Sequence, residues 1–138
     1  MTQEFVPYEQ ALALKELGFD EPCFGYYKPN GELDYIENHI LKDFPYLAKN
    51  SEWQDLVAAP LYQQTFRWFR EKYELLGFIE PANGYEDKSL FAFYICDDEQ
   101  NIVDDSHSYS KDSSLHFKTY EEAELACLIK LIEITKTK

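Results

Sequence analysis

The sequence predicts an α+β fold, an antiparallel sheet of hairpins with three main helices packed on it in the order α-ββ-α-ββ-α. Three observations predict this class. Stretches with apolar residues at steps of three and four, typical of helices, alternate with short aromatic stretches. Asn30-Gly31 separates two of the short stretches, as in a tight hairpin. With 45% hydrophobic residues, the 138-residue chain is expected to form one domain over residues 1–138 without metal or disulfide.

The first helix is predicted directly after Pro7, in the stretch YEQALALKELG. Gly18 is placed to take the left-handed conformation that ends a helix. Phe19 follows it and is expected to pack back on Leu14, the hydrophobic contact that accompanies such an ending.

A β-hairpin is predicted next, with strands over residues 23–28 and 33–36. Asn30-Gly31 lies between them, and both residues tolerate the positive φ that a primed two-residue turn requires. The stretch over residues 37–49 contains Pro45 and is expected to be an irregular connection.

A long central helix is predicted over residues 60–78, ended by Gly77. Ser51 and Gln54 have the spacing of a capping box, which predicts a short helix over residues 52–59 before it. Large apolar residues recur in the central helix at steps of three and four, which predicts one buried aromatic stripe. This stripe consists of Tyr62, Phe66, Phe69, Tyr73 and Leu76.

The second half of the chain begins with the clearest strand, SLFAFYIC, over residues 89–96. Its apolar residues occur at both odd and even positions, which point to opposite faces of a strand. This pattern predicts a central strand covered on both faces. Ile102 and Val103 are expected to begin the return strand. Thr119 and Glu122 form a capping box that predicts a last helix through TYEEAELACLIKLIEITK.

The charge balance is the first indication of function. The chain has 26 acidic residues against 13 Lys and Arg, a net charge of -13. Such a field repels phosphate backbones and disfavours direct nucleic-acid binding, whereas it attracts a basic protein partner. The alternative reading is that acidity only keeps the protein in solution.

The cysteines and the first residues indicate the compartment. Three cysteines, an odd number in apolar stretches, predict buried reduced thiols. The start MTQEFVPYEQ lacks a signal-peptide pattern, and no apolar run is long enough to span a membrane. The expected location is the cytoplasm, without membrane association. The cysteines are Cys23, Cys96 and Cys127.

The sequence offers few candidates for chemistry. A hydrolase would use a Cys or Ser with His107 or His116, but the stretch SHSYS lacks the strand-turn-helix pattern of a nucleophile elbow. The acidic turn at residues 97–105 spaces its carboxylates like a calcium loop, yet Ile102 stands where an EF-hand requires Gly. No Gly-rich phosphate loop and no zinc signature occur. We therefore predict no catalytic residue, no metal ligand and no cofactor.

Two groups of residues are candidates for binding a partner. The acidic turn is either a solvated hairpin tip or a negative knob that enters a positive groove. The two arginines of the chain flank Trp68, and they either contact a carboxylate or phosphate of a partner or pair with acids of this protein. The predicted partner-binding residues are Asp97, Asp98, Glu99, Asp104, Asp105, Arg67 and Arg70.

Three stretches carry a resemblance to known proteins: EFVPYEQALALKELGFDEPCFGYY, APLYQQTFRWFREKY and TYEEAELACLIKLIE. They resemble a widespread group of small, mostly uncharacterised proteins from bacteriophages and prophages. These stretches are helix and strand signatures, so the resemblance implies a fold and a phage-type origin, and no active-site residue.

In size, charge and implied origin the chain is similar to anti-CRISPR proteins, in particular inhibitors of RNA-targeting type VI effectors. The resemblance implies a counter-defence protein of the bacterial host cytoplasm that binds such an effector and disturbs guide RNA loading or use. Two alternatives remain open at this point: the small hydrolase and a non-catalytic phage structural or housekeeping protein.

Overall fold

The structure, a computed structural model, describes residues 2–35, 47–52, 55–82, 90–106 and 116–137 and confirms the α+β class. The element order agrees broadly with the predicted order and includes further strands. The chain forms two compact units, Met1–Thr65 and Phe66–Lys138. The helices and strands, after a short 3-10 turn at Thr2–Glu4, are α1 Tyr8–Glu16, β1 Gly25–Tyr27, β2 Leu33–Tyr35, β3 Val57–Ala59, α2 Tyr62–Tyr73, β4 Leu76–Pro81, β5 Phe91–Cys96, β6 Ile102–Asp105 and α3 Tyr120–Lys136.

The end of α1 confirms the predicted glycine termination. Gly18 has φ of 93°. Its N–H donates to the carbonyl oxygen of Lys15 at 3.0 Å, and the Phe19 N–H donates to that of Leu14 at 2.9 Å. This pair of bonds is the Schellman motif. Phe19 and Leu14 are both buried, as expected.

The first sheet, in the unit Met1–Thr65, has the strand order β2-β1-β3 and is antiparallel. The predicted β1–β2 hairpin is present, but its loop has three residues and is not a primed two-residue turn. Lys28 N–H donates to the Glu32 carbonyl at 2.9 Å, and Gly31 N–H donates to the Lys28 carbonyl at 2.8 Å. Gly31, with φ of 86°, supplies the left-handed position that such a loop needs.

The predicted helix over residues 52–59 is wrong where the structure describes it. Val57–Ala59 forms β3, which pairs with β1 so that Tyr27 lies opposite Val57. All three β3 residues are buried, because they form an inner layer against which α1 packs. Pairing with a distant strand has therefore overridden the local capping pattern. Gln54, the second residue of that pattern, lies outside the described residues.

The central helix α2 is shorter than predicted, and Gly77 does not end it. The helix ends at Tyr73, and Glu74 takes the left-handed φ of 57°. Leu76 and Gly77 already belong to β4, so Leu76 is not part of the helical stripe. The stripe itself is partly confirmed, since Tyr62 and Phe69 are buried.

The second sheet, in the unit Phe66–Lys138, has the order β4-β5-β6 and is antiparallel. The prediction of a central strand is confirmed by β5, in which Ala92, Phe93, Ile95 and Cys96 are all buried. The return strand that begins at Ile102 is confirmed by β6.

Helix α3 packs on β4 and β5. Its predicted cap is confirmed, because the Thr119 hydroxyl accepts the Glu122 N–H at 3.1 Å. In the part of the chain that the structure describes, no helix has both the length and the hydropathy needed to cross a bilayer.

Candidate partner-binding site

The acidic hairpin, residues 97–105, joins β5 to β6 through a three-residue loop. Asp97 N–H donates to the Asn101 carbonyl at 2.9 Å, and Gln100 N–H donates to the Asp97 carbonyl at 3.0 Å. These bonds repeat the pattern of the β1–β2 loop. Gln100 takes the left-handed position with φ of 68°, where the earlier loop has glycine. The loop therefore has a defined conformation held by its own backbone.

Asp97 is a structural residue of this hairpin. Its Oδ1 accepts the N–H groups of Glu99 at 3.0 Å and Asn101 at 2.8 Å. The amide of Asn101 donates to Oδ2 at 3.3 Å. The pKa of the Asp97 carboxyl is lowered below its usual value, mainly by the hydrogen bond from the Asn101 backbone N–H and further by those from the Asn101 side chain and the Glu99 N–H. Asp97 therefore holds the loop, and both oxygens of its carboxylate have partners within the hairpin.

The loop should respond to acid through Asp97. Because its folded pKa is lowered, its ionised form stabilises the fold above the ordinary carboxyl pKa, and this stabilisation is lost as the pH falls through the lowered value. We expect the melting temperature to fall less between pH 6 and pH 3 in Asp97→Asn than in the wild type. Thermal unfolding by circular dichroism measures this. Asp98→Asn, an adjacent exposed carboxyl, is the control, and an equal change in both variants would contradict the assignment.

The remaining acids of the hairpin divide into two groups. Asp98 and Glu99 are exposed at the tip. Asp104 lies 3.4 Å from the Nζ of Lys130 on α3, so it joins the strand to the helix. Asp105 is half-buried in β6 opposite Tyr94. Among the five predicted acids, the two at the tip are the most accessible to a partner.

Aliphatic surface adjoins this tip on β6. Ile102 is 65% exposed and Val103 is 45% exposed, large values for branched apolar side chains. A register shift in the β5–β6 pairing occurs between Ile95 and Cys96, next to these residues. Two exposed aliphatic side chains therefore precede two half-buried acidic ones along β6, and adjoining apolar and charged surface is found at protein-binding sites.

The two predicted arginines lie on α2, a different element from the hairpin. Arg67 and Arg70 are both exposed. Trp68 between them is only 6% exposed and packs edge-on against Phe69, with ring centroids 5.1 Å apart. The ammonium of Lys72 lies 5.0 Å from the centroid of the Trp68 ring. The indole is therefore occupied within the protein.

The candidate nucleophiles that the structure describes have unfavourable surroundings, whereas Ser108 and Ser110 of SHSYS lie outside the described residues. The three cysteines are free and buried, as predicted. Burial raises the pKa of both Cys23 and Cys127 to about 12, so that these thiols stay protonated at neutral pH. The Ser106 hydroxyl accepts the Phe93 N–H at 2.8 Å. His116 is buried, and His107 lies outside the described residues.

Metal binding finds no support in the described part of the chain. No group of three or more His, Cys, Asp or Glu side chains there is arranged to hold an ion. The carboxylate of Asp97, the first position of the calcium-like spacing, is already engaged by backbone N–H groups of its own loop.

An open groove of about 370 Å³ lies between the second sheet and α3, and we call it the α3 groove. Sequence reasoning missed it, because its lining comes from four separate stretches and no motif connects them. The one signal in the sequence is that β5, β6 and α3, which pack together, all carry acidic or aromatic residues. The lining residues are Phe93, Asp104, Asp105, Ser106, Phe117, Ala126, Ile129, Lys130 and Glu133.

Comparison with known proteins adds no relative. No protein family, no characterised protein and no solved structure matches this chain significantly.

Proposed function

We propose that this protein is a binding protein that attaches directly to a basic, nucleic-acid-handling protein through its acidic hairpin. The observation that carries the proposal is the exposed tip, where Asp98 and Glu99 project from a loop held by Asp97. A loop that is ordered before binding loses little conformational entropy on binding, which favours affinity.

Charge and exposed apolar surface support the same partner class. The net charge of -13 accelerates encounter with a positively charged surface and repels free nucleic acid. Ile102 and Val103, beside the tip, supply the apolar area that a purely ionic surface lacks. The acidic charge fits a positively charged channel of the kind that holds RNA by its backbone.

The specific form of the proposal follows from the resemblance to phage proteins. We propose a counter-defence protein, an anti-CRISPR that binds an RNA-targeting type VI effector and disturbs guide RNA loading or use. It acts in the cytoplasm of the bacterial host cell, without a cofactor and without catalysis of its own.

The direct test uses purified type VI effectors and their guide RNAs. Guide RNA loading is followed by electrophoretic mobility, and target RNA cleavage by gel, with and without this protein. We expect loading or cleavage to fall with added protein, and the inhibition to weaken as salt is raised from 50 to 300 mM, since exposed charges are screened. Unchanged loading and cleavage would overturn the anti-CRISPR form.

Affinity capture from host cells after RNase treatment tests the broader proposal of a basic, nucleic-acid-handling partner. Recovery of no basic protein would overturn that broader proposal.

The tip carries a specific expected effect on affinity. We expect the double variant Asp98→Asn/Glu99→Gln to bind its partner about threefold to tenfold more weakly, mainly through a slower association rate. Surface plasmon resonance against the captured protein measures both rates. Glu9→Gln/Glu32→Gln, which removes two exposed acids of the other unit, is the control with the same net charge. Equal losses in both variants would show that overall charge, and not the hairpin, determines binding.

A further inference from the structure

We propose that the α3 groove receives an arginine side chain of the basic partner. This inference rests on the proposed function and assigns the partner a specific contact that the tip does not make. It follows from an aromatic and aliphatic floor, from carboxylates on two walls and from the net charge of the lining.

The floor of the groove is apolar. Phe93 of β5 and Phe117 stack with ring centroids 6.1 Å apart and an interplanar angle of 29°. Ile129 on α3 is 38% exposed where it lines the groove. Phe93 is only 7% exposed, so the half-buried Phe117 offers the accessible ring surface. An arginine side chain matches Phe117 and Ile129, because its stem is apolar and its planar guanidinium stacks on aromatic rings.

The walls carry the charge that a cation requires. Lys130 lies between two carboxylates, with its Nζ 3.4 Å from Asp104 Oδ2 and 3.2 Å from Glu133 Oε2. The lining contains three carboxylates, including Asp105, and one ammonium, so its net charge is -2. Lys130 therefore orients the acids of the strand and helix walls without neutralising the groove.

The choice of arginine over other ligands follows from this geometry. An anionic ligand would meet the negative lining, with the only ammonium of the lining already engaged by Asp104 and Glu133. The guanidinium has five N–H donors in a fixed plane and can reach carboxylates on two walls, whereas lysine has a point charge. Asp104 and Asp105 of β6, which line the groove, also belong to the acidic hairpin. A partner held at the tip can therefore place a basic side chain in the groove.

The test is an NMR titration of the ¹⁵N-labelled protein with acetylated, amidated hexa-arginine, and with hexa-lysine as the competing chemistry. We expect the amide shifts of residues 117, 129 and 130 to respond to hexa-arginine more strongly than to hexa-lysine. Glu133→Gln and Ile129→Lys should weaken hexa-arginine binding at least threefold. Glu121→Gln, an exposed acid at the opposite end of α3, is the matched charge control and should change it less than twofold.

Three outcomes of the titration would overturn the inference. The first is an equal loss of hexa-arginine binding in Glu133→Gln and Glu121→Gln. The second is a set of amide shifts confined to the hairpin tip. The third is a set of groove shifts that depend on protein concentration alone, which would assign the groove to a second copy of this chain. The effector assay separates this inference from the proposed function. If Glu133→Gln and Ile129→Lys inhibit the effector like the wild type while the tip variant does not, the groove inference fails and the proposed function stands.

Discussion

Asn50→Asp is expected to destabilise the fold by about 3 kcal/mol or more at pH 7. Asn50 is 8% exposed and uses both ends of its amide. Its Nδ2 donates to the Phe19 carbonyl at 2.8 Å, and its Oδ1 accepts the Ala58 N–H at 2.9 Å. A carboxylate keeps the second bond but directs a negative oxygen at the Phe19 carbonyl. Asn50 thus connects the end of α1 to β3, a role that no sequence motif indicates.

The cost of Asn50→Asp should depend on pH. Burial raises the pKa of the new carboxyl above its unfolded value of about 3.9, so the penalty grows as the pH rises above that value and shrinks towards pH 4. A protonated carboxyl also restores a donor to Phe19. Urea unfolding at pH 4.5 and pH 7 measures the difference.

Asn30→Asp is the matched control for this experiment. Asn30 is exposed, and its side chain accepts the Glu32 N–H through Oδ1 at 3.0 Å, a bond that a carboxylate retains. We expect a change within about 0.5 kcal/mol at either pH. A similar small loss for Asn50→Asp would contradict the role assigned to Asn50.

Gly77→Ala is expected to cost about 1–3 kcal/mol, through overpacking between β4 and α3. A Cβ at Gly77 would lie 2.9 Å from the Sγ of Cys127 and 3.3 Å from Cδ1 of Leu131. Both side chains are fully buried, so the added methyl group would have to displace packed side chains. Glycine is therefore needed at this position for close packing of the helix on the strand.

A double-mutant cycle isolates this contact. Cys127→Ala removes the nearest atom, so we expect it to recover part of the loss in the Gly77→Ala background, with a coupling energy of about 0.5–2 kcal/mol. Urea unfolding of the four proteins gives this energy. Gly31→Ala is the control, because a Cβ there meets nothing within 4 Å and its cost comes only from the φ of 86°. Absence of coupling between Gly77 and Cys127 would refute the packing explanation.

The candidate site was predictable only in part. The acidic hairpin and the exposure of Asp98 and Glu99 follow from charged residues between two strand patterns, which a hairpin leaves in solvent. The roles of Asp97 and Asp104 do not follow, since one depends on which N–H groups its oxygens meet and the other on Lys130 of α3. The sequence therefore does not show which acids of the hairpin bind groups of this protein and which remain accessible to a partner.

Local patterns in the sequence by themselves determined the α+β class, the end of α1 at Gly18, the central position of β5 and the cap of α3. The end of α1 and the cap of α3 depend on hydrogen bonds within a few residues, and the central position of β5 is indicated by apolar residues on both of its faces. Only the tertiary structure decided that residues 57–59 form β3, that Gly77 serves packing, and that distant stretches line the α3 groove. The reason is physical: pairing with β1 and close contact with α3 join residues far apart in the chain, and their energies exceed the local preferences that a sequence pattern reports.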